Sequence, residues 1–181
     1  MGFLTLLDET ETGVCGGYLI LNAAGRPLEF HCTAPIRANR AQEILYGPTL
    51  KPYLYGEQIG QALVTKSPLK PLWLCTDVEP ALAVREFVEL PVALVESAAK
   101  SSEAVTIEKT YRVDGAHAGA AKPNMLESFT LAGHTLAVPR LHTADRETIL
   151  ERWTPHAERF DLTEPFGRIR EALAEAQRGG K

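Results

Sequence analysis

Three runs near the N-terminus decide the fold: Phe3-Leu-Thr-Leu-Leu-Asp8, Val14-Cys-Gly-Gly-Tyr-Leu-Ile-Leu21 and Pro27-Leu-Glu-Phe-His-Cys-Thr33. Each has the length and the branched or aromatic content of a strand. The second and third are joined by Asn22-Ala-Ala-Gly25, whose end residues tolerate the positive φ of a tight reversal. They read as an antiparallel three-stranded meander.

Working outward, Asn39-Arg40-Ala-Gln-Glu43-Ile-Leu45 begins a helix, with Asn39 able to accept from unpaired first-turn N–H groups. Gly47, Pro48, Pro52 and Gly56 interrupt that helix before Thr65, so it is expected to break or kink. Pro71-Leu-Trp-Leu-Cys-Thr-Asp77 is a nearly continuous apolar run, the pattern of a strand buried on both faces. Glu79-Pro80 then opens a second helix, with proline where its missing donor costs little. The alternating run Val105-Thr-Ile-Glu-Lys-Thr-Tyr-Arg-Val113 is a fifth strand candidate. The resulting order, β-β-β-α-β-α-β, predicts an α/β core with a mixed sheet over residues 1–138.

Residues 139–181 read as a helical extension packed on that core. Ser128 to Val138 reads as a hairpin. Thr143 caps a helix that runs through Trp153 to Pro155, with Asp145 and Glu147 at its favourable N-terminal end. A last helix from Glu164 to Gln177 places Phe166, Ile169, Leu173 and Ala176 on one stripe that docks on the domain.

Three acids fall where predicted elements meet: Asp8 after a strand, Glu43 on a helix and Asp77 after a strand. With the element order, they make the chain resemble the ribonuclease H family over about residues 3–127. Asp8 is similar in place to the family's first acid, and Gly16-Gly17-Tyr18 resembles its Gly-Gly-Tyr at the start of strand two. Asn39-Arg40-Ala-Gln-Glu43 resembles the Asn-Arg pair and second acid, with one extra residue of spacing. Cys75-Thr76-Asp77 resembles the step that carries the third acid, and Gly115-Ala-His117-Ala-Gly119 resembles a histidine-bearing loop motif. Two departures stand out: Glu9 follows Asp8 where the family usually has glycine, and the helix after Glu43 is interrupted.

The resemblance implies a nuclease that hydrolyses phosphodiester bonds with Mg2+ or Mn2+. Asp8, Glu43 and Asp77 would be ligands, Glu127 or Asp145 would be the fourth, and His117 would transfer a proton or assist product release. Two divalent ions about 4 Å apart acidify the attacking water and stabilise the leaving oxygen. Magnesium needs only a few carboxylates because waters and phosphate complete its shell. Arg37, Asn39 and Arg40 would meet the nucleic acid, an RNA-containing duplex or DNA.

Charge weighs on the other side. The 181 residues, enough for one domain with a substantial core, hold 19 Lys and Arg against 23 Asp and Glu, a net charge of −4. Phosphate affinity is supplied largely by Lys and Arg, and residues 88–103, where the family's basic grip would lie, are short and acidic. A nuclease would therefore act within a complex, with a protein partner supplying substrate affinity. The second reading is a noncatalytic α+β interaction module, pairing with another chain through a strand edge or the last helix. Cys15, Cys32 and Cys75 lack C-x-x-C spacing and read as buried, reduced thiols in strands. No apolar stretch approaches the ~20 residues that span a bilayer, and no secretory signal core is present, so the expectation is a cytoplasmic protein without membrane contact.

Overall fold

A computed structural model describes residues 1–9, 13–96, 125–153 and 160–179. The described strands form one mixed sheet of seven, covered by helical segments on both faces, so the chain has a mixed α/β fold. β1 (Gly2–Glu9), β2 (Gly13–Leu21) and β3 (Pro27–Cys32) form the expected antiparallel meander. At the β2–β3 turn Gly25 has φ 75°, and its N–H donates to the Asn22 carbonyl at 3.0 Å. The Asn22 Oδ1 accepts from the N–H groups of Ala24 and Arg26, holding the reversal closed.

α1 (Arg40–Tyr46) starts at a reciprocal cap, in which Asn39 accepts from the Gln42 N–H and Gln42 accepts from the Asn39 N–H. The interruption expected after it is a 3₁₀ turn at Gly47–Thr49. Beyond it, α2 (Leu50–Pro52), a π-helical stretch (Tyr53–Gln61) and α3 (Ala62–Lys66) follow one another directly. Gly56 is required here, because a Cβ would lie 2.7 Å from the Val84 nitrogen in the 3₁₀ helix Glu79–Glu86 that packs against the π-helical stretch.

β4 (Leu74–Thr76) runs parallel to β1, and β5 (Val92–Val95) runs parallel to β4. β5 lies within the segment read from sequence as a short acidic stretch. The run at 105–113, read as the fifth strand, lies outside the described residues. Val92-Ala-Leu-Val95 is buried along its whole length, so it lacks the polar alternation that marks a half-buried strand. β6 (Leu126–Leu131) and β7 (His134–Pro139) form the expected hairpin, whose turn residues Ala132 and Gly133 have φ 54° and 80°. β7 pairs antiparallel with β5, giving the order β3-β2-β1-β4-β5-β7-β6.

The sheet separates two cores. On one face Phe3, Cys75, Trp73 and Val95 pack with Ile149 and Trp153 of α4 (Ala144–Trp153) and with Phe166, Ile169 and Leu173 of α5 (Glu164–Gly179). An aromatic series runs through it: Phe166 meets Phe3 edge-on at 5.5 Å, Phe3 stacks on Phe160 at 5.9 Å, and Trp153 meets both Phe160 and Trp73 edge-on. On the other face Leu4, Leu6, Tyr18 and Leu74 pack with Leu54, Tyr55, Ile59 and Leu63. The two C-terminal helices thus belong to the same core as the strands. Ala176, expected on the docking stripe, is exposed, although the next residue, Gln177, still reaches the Cys15 sulfur of β2 at 3.1 Å. Among the described residues no helix is long and apolar enough to cross a membrane.

Gly16 and Gly17 of β2 let both helical layers come close. A Cβ on Gly16 would lie 2.2 Å from Ile59 Cγ2 on one face, and a Cβ on Gly17 would lie 2.3 Å from Ile169 Cγ2 on the other. Overpacking of this kind costs about 1–3 kcal/mol. We therefore expect Gly17→Val to lower the unfolding free energy by at least about 2 kcal/mol in urea titration, with an unchanged m-value if only packing is lost.

Candidate functional site

Side chains on β1 alternate between the two cores, and this decides where the acids point. Asp8 shares a face with Leu4 and Leu6, and its Oδ2 accepts a 2.7 Å hydrogen bond from the Tyr55 hydroxyl of the π-helical stretch. Burial, reinforced by this bond and by the charge of Asp8, pushes the Tyr55 hydroxyl well above its ordinary value. Asp77, just past β4, points to the opposite face. Its Oδ1 accepts from the buried Thr5 hydroxyl at 2.7 Å, and its Oδ2 is paired with the Arg170 guanidinium of α5. Leu4 is the register partner of Thr76, so the β1 residue that meets Asp77 is Thr5 and not Asp8.

The remaining expected ligands are placed apart from these two. Glu43 sits on exposed α1, accepting from Arg40 at 2.9 Å, and α1 buries none of its residues. Glu127 lies on β6, the last strand of the sheet, 3.4 Å from Arg146. Four interstrand spacings of about 4.8 Å put β6 roughly 19 Å from β1, beyond any shared metal shell. Asp145 is buried at the head of α4 and is engaged on both oxygens. Arg85 Nε approaches Oδ2 at 2.6 Å, Arg85 Nη2 approaches Oδ1 at 3.0 Å, and the Val92 N–H donates to Oδ2 at 3.2 Å. The five carboxylates expected from sequence therefore do not converge, and no group of three or more His, Cys, Asp or Glu able to hold a metal occurs among the described residues. His117 lies outside the described residues.

Of the three residues expected to meet nucleic acid, which lie close together along the chain, two have local partners. Asn39 caps α1, Arg40 pairs with Glu43, and Arg37 is exposed one turn before. Of the three cysteines, Cys15 and Cys75 are buried as expected, whereas Cys32 is exposed because β3 is an outer strand. Burial raises both the Cys15 and the Cys75 thiol above the ordinary value, which makes them inert rather than nucleophilic.

One polar cluster escaped sequence reading. On β3, Glu29 and His31 share a face two residues apart. His31 Nε2 lies 2.6 Å from Glu29 Oε1, and the Ser67 hydroxyl, 38 positions along the chain, donates to Glu29 Oε2 at 2.6 Å. The bond from Ser67, and secondarily the contact with His31, hold the Glu29 carboxyl below its ordinary value. The Tyr18 hydroxyl, buried and without a hydrogen-bond partner among the described residues, is pushed up by burial and by the charge of Glu29. The spacing of Glu29 and His31 was visible as strand alternation, but no sequence signal points to Ser67. The serine donates to the carboxylate and not to the histidine, so the trio is a strand anchor and lacks the relay of a nucleophilic triad.

No family model matches the sequence, and no curated protein and no solved structure matches it.

Two outcomes follow from these contacts. Asp145→Ala leaves the Arg85 charge half-buried without its partner and is expected to cost about 3 kcal/mol or more in denaturant unfolding. Because the folded value of Glu29 is depressed, its contribution is complete above its ordinary value of 4.5 and is lost as pH falls through the folded value. The stability gap between wild type and Glu29→Gln should therefore be constant near neutrality and should narrow below pH 4.5, as read by urea titration across pH.

Proposed function

We infer that this chain is a noncatalytic α/β interaction module that acts through a partner protein. The observation that carries this reading is the sidedness of Asp8 and Asp77: each carboxylate is held by the helical layer on its own face of the sheet, Asp8 by Tyr55 and Asp77 by Arg170. A two-metal phosphodiester site needs carboxylates that reach a common pair of ions, with magnesium–oxygen distances of about 2.1 Å and ions about 4 Å apart. With the sheet between them, Asp8 and Asp77 do not fit that requirement, and Arg170 already supplies the positive charge that Asp77 would offer to a metal. The net charge of −4 adds support, because an acidic protein gains little from counterion release on a polyanion.

A second reading is favoured by one observation. The order of elements, an antiparallel meander followed by helix, parallel strand, helical segment and parallel strand, is the order that makes the chain resemble ribonuclease H. On that reading the protein would be a Mg2+- or Mn2+-dependent nuclease of RNA-containing duplexes or DNA, with a ligand set other than the five carboxylates placed above.

Calorimetric titration of the purified chain with magnesium and with manganese separates the two. The noncatalytic reading expects no saturable binding in wild type and no change in Asp8→Asn or Asp77→Asn. Saturable binding in wild type would sink it: its loss in both variants would return the two acids to one site, and its persistence in both would point to other ligands.

A further inference from the structure

β3 ends the sheet, and its geometry names its occupant. The Thr33 N–H donates to the Gly16 carbonyl, which makes Gly16–Thr33 a hydrogen-bonded pair of the antiparallel β2–β3 ladder. Pairs alternate, and Tyr18–His31 and Ile20–Glu29 are the register partners two and four residues along. Glu29, His31 and Thr33 therefore spend their backbone groups on β2, whereas those of Phe30 and Cys32 point out at the free edge. Among the described residues no strand pairs with that edge. The side chains beside it are apolar and exposed: Leu28 at 55%, Phe30 at 39%, and Cys32. At the other end a register shift between Ile20 and Leu21 leaves Leu28 without a partner residue on β2, and pairing resumes at Leu21–Pro27, where proline has no N–H.

The open stretch 28–32 is self-complementary. When two copies run antiparallel about a two-fold axis at Phe30, Phe30 faces Phe30, Leu28 faces Cys32, and each Glu29 faces a His31. The residues with outward backbone groups are then the ones that exchange hydrogen bonds. Sliding the register by two residues sets Glu29 against Glu29 or His31 against His31, and like charges directly opposite are unfavourable. Sliding by one sets outward backbone groups against inward ones and apolar side chains against charged ones. One register satisfies backbone, apolar face and charge together.

We propose that this chain pairs with a second copy of itself through the free edge of β3, antiparallel about a two-fold axis at Phe30, so that two sheets become one continuous sheet. The pairing rests on the noncatalytic reading and supplies its partner. It is isologous, the commonest symmetry of soluble oligomers. It also removes a free edge that would otherwise template uncontrolled association.

The test is the mass of the full chain in solution, by light scattering and sedimentation across a hundredfold range of concentration. The expected result is a concentration-dependent shift from 19.8 kDa toward twice that mass. Phe30→Lys and Cys32→Lys should each weaken dimerisation at least tenfold while leaving the circular dichroism spectrum unchanged. Leu45→Lys, at a residue 82% exposed on α1, should leave the dimer intact. A monomer at every concentration would overturn the pairing, leaving the edge to an extended segment of a different protein. A dimer insensitive to both β3 substitutions would overturn it as well. The metal titration reads independently: a monomer that binds no magnesium defeats the pairing alone, and a dimer that binds magnesium through Asp8 and Asp77 defeats the noncatalytic reading alone.

Discussion

The close approach of two helical layers to Gly16 and Gly17 is the constraint on which the other features depend. Adjacent residues of a strand face opposite ways, so this pair creates one shallow spot on each side of the sheet at the same level. Ile59 and Leu63 enter one, Ile169 and Leu173 enter the other. The π-helical stretch is thereby drawn over the face that carries Asp8, and α5 over the face that carries Asp77. Tyr55 and Arg170 reach their carboxylates because the glycines admit the helices that carry them.

Charge follows the same division. Arg85 and Asp145 tie the 3₁₀ helix Glu79–Glu86 to the head of α4, and Asp145 also accepts from the first residue of β5. A buried pair of this kind is stabilising chiefly in the sense that neither partner can be left alone. It works here as a locator, bringing elements from both sides of the sheet to one edge of β5. The Thr5–Asp77–Arg170 contact does the same between β1, β4 and α5. Asp8, Asp77 and Asp145 are thus engaged in holding layers together.

The edge strand shows how the two faces of one strand divide labour. On the face toward the π-helical layer, Glu29 and His31 are partly buried and anchored by Ser67. On the opposite face, Leu28, Phe30 and Cys32 extend past the cover of α5 and stay exposed. A strand anchored on one side and apolar on the other offers an outer row of backbone groups, the feature that pairing through main-chain hydrogen bonds uses.

Local chemistry determined a large part of this protein. The meander, the Asn39 cap, the break after Gly47, the hairpin at Ala132-Gly133 and the apolar stripe of α5 are all written in spacings of a few residues, because turns, caps and amphipathic faces depend on near neighbours. β5 was not legible, since its apolar run of four residues is shorter than the run that marked β4 and carries no period. The site was legible only as a set of acids at element ends. Which of them meet was decided by tertiary structure: the parallel register of β1 on β4 sets Thr5, and not Asp8, beside Asp77. A strand has period two, so an offset of three residues moves a carboxylate both along the sheet and through it to the other face. No spacing within the sequence contains that offset, because it arises only when two distant strands pair.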